Sequence, residues 1–404
     1  EKPAETLQIR LWLVRNLQSQ DRLVDAEMEA RQAVRDAAAA AEGDPGFLAQ
    51  AAHRLGEVAL AQGRLAEARD LAAAIAAMLQ NAGYDPASGN VLNALNLKAK
   101  ALTLLEDFAA AGEDFGAILE RTRDIPDLRI RVARNNPHLP LALLLSGRAA
   151  DALDLARAIH AQLEQILGPD AFPTAQMLAV RGAAQARLGQ DREALADLSR
   201  AMPVLLSRSG TGSANAGQAI RTRLLAGEWL GLLARLQGSS LIREQGIDPL
   251  EESFRVAESA GSRAVRGALA AQGARAAGQD PELAEMARQE QDLAMYLEAA
   301  QADLMAQAGG DAADLRAARE RVSELDRARQ SLLEEIGKRF PKYSELVAPQ
   351  GCGVRDAESA LHPGEALVSV FPAEDRTFVW CIPARGEPSF HAASLGSREL
   401  ARRV

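Results

Sequence analysis

The side chains with the most reactive chemistry are few. Cys352 and Cys381 are the only cysteines, and the five histidines are scattered, too sparse for a disulfide framework, a paired-cysteine zinc site or an imidazole cluster. Cys381 stands between Trp380 and Ile382 with no basic neighbour to lower its pKa, which predicts a packed structural thiol rather than a nucleophile. Cys352, between Gly351 and Gly353, is expected to be exposed and oxidisable, while His362 and His391 read as loop and strand-end residues. Ser209-Gly210-Thr211-Gly212-Ser213 is glycine-rich but lacks the Gly-Lys-Ser/Thr ending of a phosphate cradle, so it reads as a connector. No catalytic residue, metal ligand or cofactor is expected from these positions.

What is left is recognition, and charge narrows the partner. The net charge of −9, from 55 acidic and 46 basic residues, gives no overall attraction to a phosphate backbone. Arg121, Arg123, Arg129, Arg131 and Arg134 form a local basic cluster, but Asp124 and Asp127 dilute it. A solvated face is expected there, with no nucleic-acid partner. No run of about 18 apolar residues occurs, so a soluble chain without a membrane span is expected. The sequence opens Glu1-Lys2-Pro3 rather than with methionine, which is compatible with removal of an upstream segment such as a signal peptide. Cytoplasmic and extracytoplasmic locations both stay open.

The elements that would position a recognition surface show up as a repeat. Asp21, Gly63, Glu106, Gly147 and Gly189 are turn-like positions spaced by 42, 43, 41 and 42 residues, and five residues after each stands Ala26, Ala68, Ala111, Ala152 or Ala194. Twelve residues after each come Ala33, Ile75, Ile118, Ile159 and Ala201, on the same helical face as the alanine. The pattern predicts helix, tight turn, helix, with the small alanine letting two helices approach closely. Each pair needs neighbours to cover its face, which predicts a superhelix. After Ala201 the register fails, because Gly231 is followed five residues later by Leu236. A concave groove lined by first helices is expected to bind a protein or peptide ligand, with Asn93, Asn96 and Lys98 in the third unit and Gln176, Arg181 and Gln185 in the fifth as its recognition residues.

Asp248-Pro249 and Asp280-Pro281 each pair an N-cap acceptor with a first-turn proline. From the second, Leu283, Met286, Glu290, Leu293, Leu297, Ala300 and Leu304 step by three and four residues. Gly309-Gly310-Asp311 breaks the helix, and Leu315, Ala318, Val322, Leu325, Arg329, Leu332 and Ile336 repeat the stepping. Two heptad seams facing one another predict an antiparallel hairpin. Past Pro341, Ala366–Phe371 and Thr377–Ile382 read as a β-hairpin, Phe390-His391 as a third strand, and Ser397 as the start of a helix. Two or three strands cannot bury a sheet face by themselves, so this segment is expected to be poorly stabilised and to be the first part of a larger domain.

Residues 5 to 205 resemble the longer, roughly 42-residue variety of tetratricopeptide repeat (TPR). Residues 250 to 404 resemble the helical lead-in and opening of a bacterial CHAT domain, the caspase-like domain that follows TPR arrays. The resemblance lies in Ser253-Phe254-Arg255-Val256-Ala257-Glu258, Ala274-Arg275-Ala276-Ala277 and Arg288-Gln289-Glu290-Gln291-Asp292-Leu293. It continues in Phe340-Pro341-Lys342-Tyr343-Ser344-Glu345-Leu346, Pro349, Leu361-His362-Pro363-Gly364-Glu365-Ala366-Leu367-Val368 and Asp375-Arg376-Thr377-Phe378-Val379-Trp380. It implies a mainly all-α chain: TPR-like repeats at 1–205, a degenerate or capping helical unit at 206–279, an antiparallel helical hairpin at 280–345, and the N-terminal part of a caspase-like α/β domain at 346–404. It further implies an interaction scaffold for a cysteine peptidase whose histidine and cysteine belong to later strands, neither motif occurring before Val404. A non-enzymatic adaptor with a structural CHAT-like domain is the alternative.

Overall fold

The computed structural model describes residues 3–20, 22–40, 45–124, 136–208, 216–261, 280–307, 312–341, 343 and 352–403. These divide into two compact units, one of residues 1–161 with 215–217 and one of 162–214 with 218–404. The first unit holds α1 (Pro3–Ser19), α2 (Leu23–Ala40), α3 (Pro45–Ala61), α4 (Leu65–Asn81), α5 (Gly89–Leu104), α6 (Phe108–Arg121), α7 (His138–Leu145) and most of α8 (Ala149–Leu167). In sequence order each of α1 to α6 packs on the next.

The turn inside each pair has one chemistry. Gly63, Gly147 and Gly189 lie in the left-handed region at φ 77°, 86° and 75°, and Glu106 occupies the same repeat position at φ 59°. The next residue donates its N–H to the carbonyl five positions back: Arg64 to Ala59 at 2.9 Å, Asp107 to Leu102 at 2.9 Å, Arg148 to Leu143 at 2.8 Å and Gln190 to Gln185 at 2.9 Å. Arg22 makes the equivalent bond to Leu17 at 2.9 Å, although Asp21 itself lies outside the described residues. This is a Schellman closure, which needs a left-handed residue and so favours glycine. Ala26, Ala68, Ala111, Ala152 and Ala194 are all fully buried, as are Ala33 and Ala201, with Ile75, Ile118 and Ile159 nearly so.

The second unit contains the fifth pair, α9 (Phe172–Arg187) and α10 (Asp191–Arg208), followed by α11 (Ala216–Leu236), α12 (Ser240–Glu244) and α13 (Pro249–Gly261). The Ser209–Ser213 loop lies outside the described residues. The next left-handed turn is Gly238 at φ 79°, 49 residues after Gly189. Helix α11 is therefore longer than the first helices before it, and Gly231 sits within it.

The hairpin pairs α14 (Pro281–Ala306) with α15 (Ala312–Arg339). Asp280 Oδ1 caps the first turn of α14, accepting from the N–H groups of Glu282 and Leu283 at 3.0 and 3.2 Å. Leu283 and Met286 pack against Ile336 at the far end of α15, so the helices run antiparallel. The two charged residues that interrupt the seams find each other: Arg329 donates from Nε to Glu290 Oε1 at 2.8 Å. Gly309, Gly310 and Asp311 lie outside the described residues.

After α16 (Val354–Ala360), strands β1 (Ala366–Pro372), β2 (Thr377–Pro383) and β3 (Ser389–Ala393) form an antiparallel sheet in the order β1-β2-β3, and α17 (Ser397–Arg403) follows. Ser369 stands opposite Trp380, and Trp380 opposite Phe390. The expectation of a sheet that buries no face is overturned. Phe371, Phe378, Trp380, Ile382 and Phe390 are all at most 3% exposed, because helices earlier in the chain cover that side. Trp380 packs edge-on against Phe254 of α13 at 6.2 Å and donates from Nε1 to Ser253 Oγ at 2.9 Å. Ser369 Oγ donates to Glu258 Oε1 at 2.9 Å. On α11, a Cβ at Gly227 would come within 3.2 Å of Ala373, so the missing side chain lets the sheet sit close. The opposite face carries Val368 and Val370, 60% and 50% exposed. Cys381 also points outward and is exposed, not packed, because strand alternation gives the inner face to its neighbours Trp380 and Ile382.

Candidate functional site

In the first unit, α1, α3 and α5 jointly line a recess of about 420 Å³, within the size range of ordinary ligand sites. Repeat geometry builds its walls. Thirteen residues before each turn position stand Gln8, Gln50 and Asn93, all lining the recess. Three successive first helices thus present a carboxamide at one equivalent site, and Gln8 Nε2 donates to Gln50 Oε1 at 3.2 Å. Seven residues further along each helix come Arg15, Glu57 and Lys100, placing charge beside the amide row.

The polar side chains are held in place. Arg54 donates from Nη1 to Glu57 Oε2 at 2.5 Å, and His53 Nδ1 lies 3.8 Å from the same oxygen. Burial holds the His53 imidazole below its usual pKa, outweighing the pull of Glu57, so the ring is neutral at pH 7. Burial alone would push Glu57 up, but His53, Arg54 and Lys100 together hold its carboxyl below the usual range. Asn136 donates from Nδ2 to Asn96 Oδ1 at 2.5 Å, fixing the Asn96 carboxamide. At the rim Trp12 is 68% exposed, with the Arg15 guanidinium 5.9 Å over its ring.

Of the six residues expected to line the groove, Asn93 and Asn96 are in this recess. The other four are engaged within the fold. Lys98 Nζ pairs with Asp114 at 3.0 Å, and Arg181 clamps Asp197 through Nε and Nη2 at 2.6 and 2.7 Å. These two pairs are one repeat feature, since each base stands eight residues before its turn position and each acid eight after it. In the second and fourth pairs the equivalent positions are Leu55 with Leu71 and Leu139 with Leu155. The ion pairs therefore stand at repeat positions that carry leucines in the second and fourth pairs. Burial pushes Asp114 above the usual carboxylate value, with Lys98 opposing. Gln176 and Gln185 are 4% and 6% exposed, inside the fold rather than on a face.

Trp12, Arg15, His53 and Arg54 were not anticipated as site residues. The repeat points to the amides beside them, which recur 42 and then 43 residues on, but not to these four, whose equivalents one repeat on differ in type. Among the described residues no group of three or more His, Cys, Asp or Glu is placed to hold a metal ion, and no helix is long and apolar enough to cross a membrane. Burial, then Asp356, Glu258 and Glu251, push the Cys352 thiol above its ordinary pKa, away from nucleophilic character. Of the basic cluster, Arg121 and Arg123 are described and Arg123 pairs with Glu120, while Asp127, Arg129, Arg131 and Arg134 lie outside the described residues.

No protein-family model matches the chain, and no curated protein is similar to it. Among solved structures it is similar to two crystal structures of a Podosopora anserina putative kinesin light chain with nearly identical TPR-like repeats. The identities are 18% and 17% and both TM-scores are 0.40, over 50% and 52% of this chain and 96% and 98% of those chains. It is also similar to BtubC (BKLC) from P. vanneervenii, at 18% identity and a TM-score of 0.39, over 52% of this chain and 82% of that one. The recurring Schellman turns and buried alanines make the chain's helix pairs a repeat with a period of 41 to 43 residues.

Proposed function

We propose that this chain is a protein-interaction scaffold whose recess on α1, α3 and α5 holds an extended polypeptide segment. One observation carries this reading: equivalent carboxamides from three consecutive repeats line a single recess. A side-chain amide donates and accepts, as the peptide group of an extended strand does, and neighbouring helices lie roughly 8–10 Å apart, a step of about three residues of extended chain. The test is selection of twelve-residue peptides from a displayed random library on the full chain. Selected peptides should bind at least tenfold more weakly to a Gln8→Ala, Gln50→Ala, Asn93→Ala triple variant of unchanged helicity. Equal binding to that variant would remove the recess from the argument.

The likeness of residues 250–404 to CHAT domains supports a narrower proposal, that the scaffold serves a caspase-like cysteine peptidase. The chain itself is expected not to turn over peptides, since the residues matched to that family include no catalytic pair. Turnover that disappears in a Cys352→Ala, Cys381→Ala double variant would show that expectation to be wrong. The adaptor reading is favoured by a separate observation: the sheet packs on α11 and α13 through Trp380, Phe254 and Gly227, which makes it a structural part of the helical unit.

A further inference from the structure

We infer that the recess selects acidic segments: extended polypeptides whose main chain meets Gln8, Gln50 and Asn93 and whose Asp or Glu side chains meet Arg15 and Arg54. This rests on the peptide reading above and adds the chemistry of the occupant.

The recess reverses the charge of the chain around it. The whole chain carries −9, yet the charged residues lining the recess are two guanidiniums, Arg15 and Arg54, and one carboxylate, Glu57. The balance is one net positive charge. Lys100, one repeat on from Glu57, adds positive potential that acts on both His53 and Glu57. Glu57 Oε2 accepts from Arg54 Nη1, so these two charges offset one another and the exposed Arg15 supplies the net positive charge of the recess. An Arg guanidinium has five N–H donors in a planar fork. The bond to Glu57 uses one terminal nitrogen of Arg54, and a ligand carboxylate is the natural acceptor for the rest. Arg15 is exposed and stacked over Trp12, so its guanidinium is oriented before a ligand arrives. The exposed Trp12 ring gives an apolar side chain next to the acid a surface to cover.

The test compares probes differing only in charge. Twelve-residue peptides are selected from a displayed random library on the full chain, then resynthesised with each Asp and Glu replaced by Asn and Gln. The selected set is expected to be enriched in Asp and Glu, and the neutral isosteres to bind about tenfold more weakly. Arg15→Glu should weaken the acidic peptides about fivefold, and Arg15→Gln by less. Binding should also fall as salt rises from 50 to 500 mM. Selected peptides whose isosteres bind equally well, or which are enriched in Lys and Arg, would overturn the acidic preference and leave the peptide reading standing. Failure to select any peptide would overturn both.

Discussion

The first helices of the third and fifth pairs, α5 and α9, carry polar residues at the same repeat positions and use them in opposite ways. Asn93 and Gln176 both stand thirteen residues before their turns, but Asn93 is exposed in a recess while Gln176 is buried. Lys98 and Arg181 are also equivalent, and both close an ion pair to the second helix of their own pair. A repeat position therefore fixes which neighbour a side chain can reach within its own pair. Whether it faces solvent is decided by what packs over it.

The comparison is sharpened by removing each polar group in turn. Arg181→Ala is expected to have the largest effect, a loss of about 2 kcal/mol in chemical denaturation, because it leaves the Asp197 carboxylate, 9% exposed, without its clamp. Asp197→Leu combined with Arg181→Leu should recover most of that loss by placing at both positions the leucines that the second and fourth pairs carry there. A double variant as unstable as Arg181→Ala would mean that the ion pair has a role beyond replacing leucines. Asn96→Ala should cost about 1 kcal/mol, since Asn136, 1% exposed, loses its acceptor.

A pH effect comes next. With the folded-state pKa of His53 below its ordinary 6.5, the unfolded chain binds more protons in the interval between the two values. Its contribution to stability is complete above about pH 6.5 and is lost as pH falls towards the folded value. Melting temperature measured from pH 7.5 to 5.5 should fall less steeply in His53→Gln than in the parent, and an unchanged slope would mean the imidazole is not held neutral. Asn93→Ala should have the smallest effect, within about 0.5 kcal/mol, while still weakening any selected peptide. A large loss of stability there would place Asn93 with Gln176 and end the contrast.

Periodicity made the helix pairs, their turns and the hairpin legible, because each joins helices that are consecutive in the chain. Gly63, Gly147 and Gly189 announce a left-handed turn, whereas Glu106 was found only by counting, since no local preference places glutamate there. Glu290 and Arg329 each interrupt a seam, and the antiparallel register pairs them. The covering of the sheet was not legible: Trp380 and Ser253 are 127 residues apart, and nothing in the strands says which helix will lie over them. The recess was half legible. Asn93 and Asn96 were singled out as polar residues on a first helix, but Gln8 and Gln50 needed comparison across repeats rather than along one helix. Cys381 was misjudged because apolar neighbours in a strand point to the opposite face.

The Glu290–Arg329 pair has a mechanical consequence for the hairpin. Leucine seams are nearly degenerate: two helices bound only by apolar steps can slide by a heptad and find an equivalent fit. The Arg329 side chain is 7% exposed and that of Glu290 16%, so a slip of seven residues would strand both charges against hydrocarbon at a cost of several kcal/mol. Arg339 closes on Glu282 where α14 begins and α15 ends, and that contact too would break. Axial load on α15 is thus resisted like load on a pinned shaft, through ion pairs that hold α14 and α15 in one register.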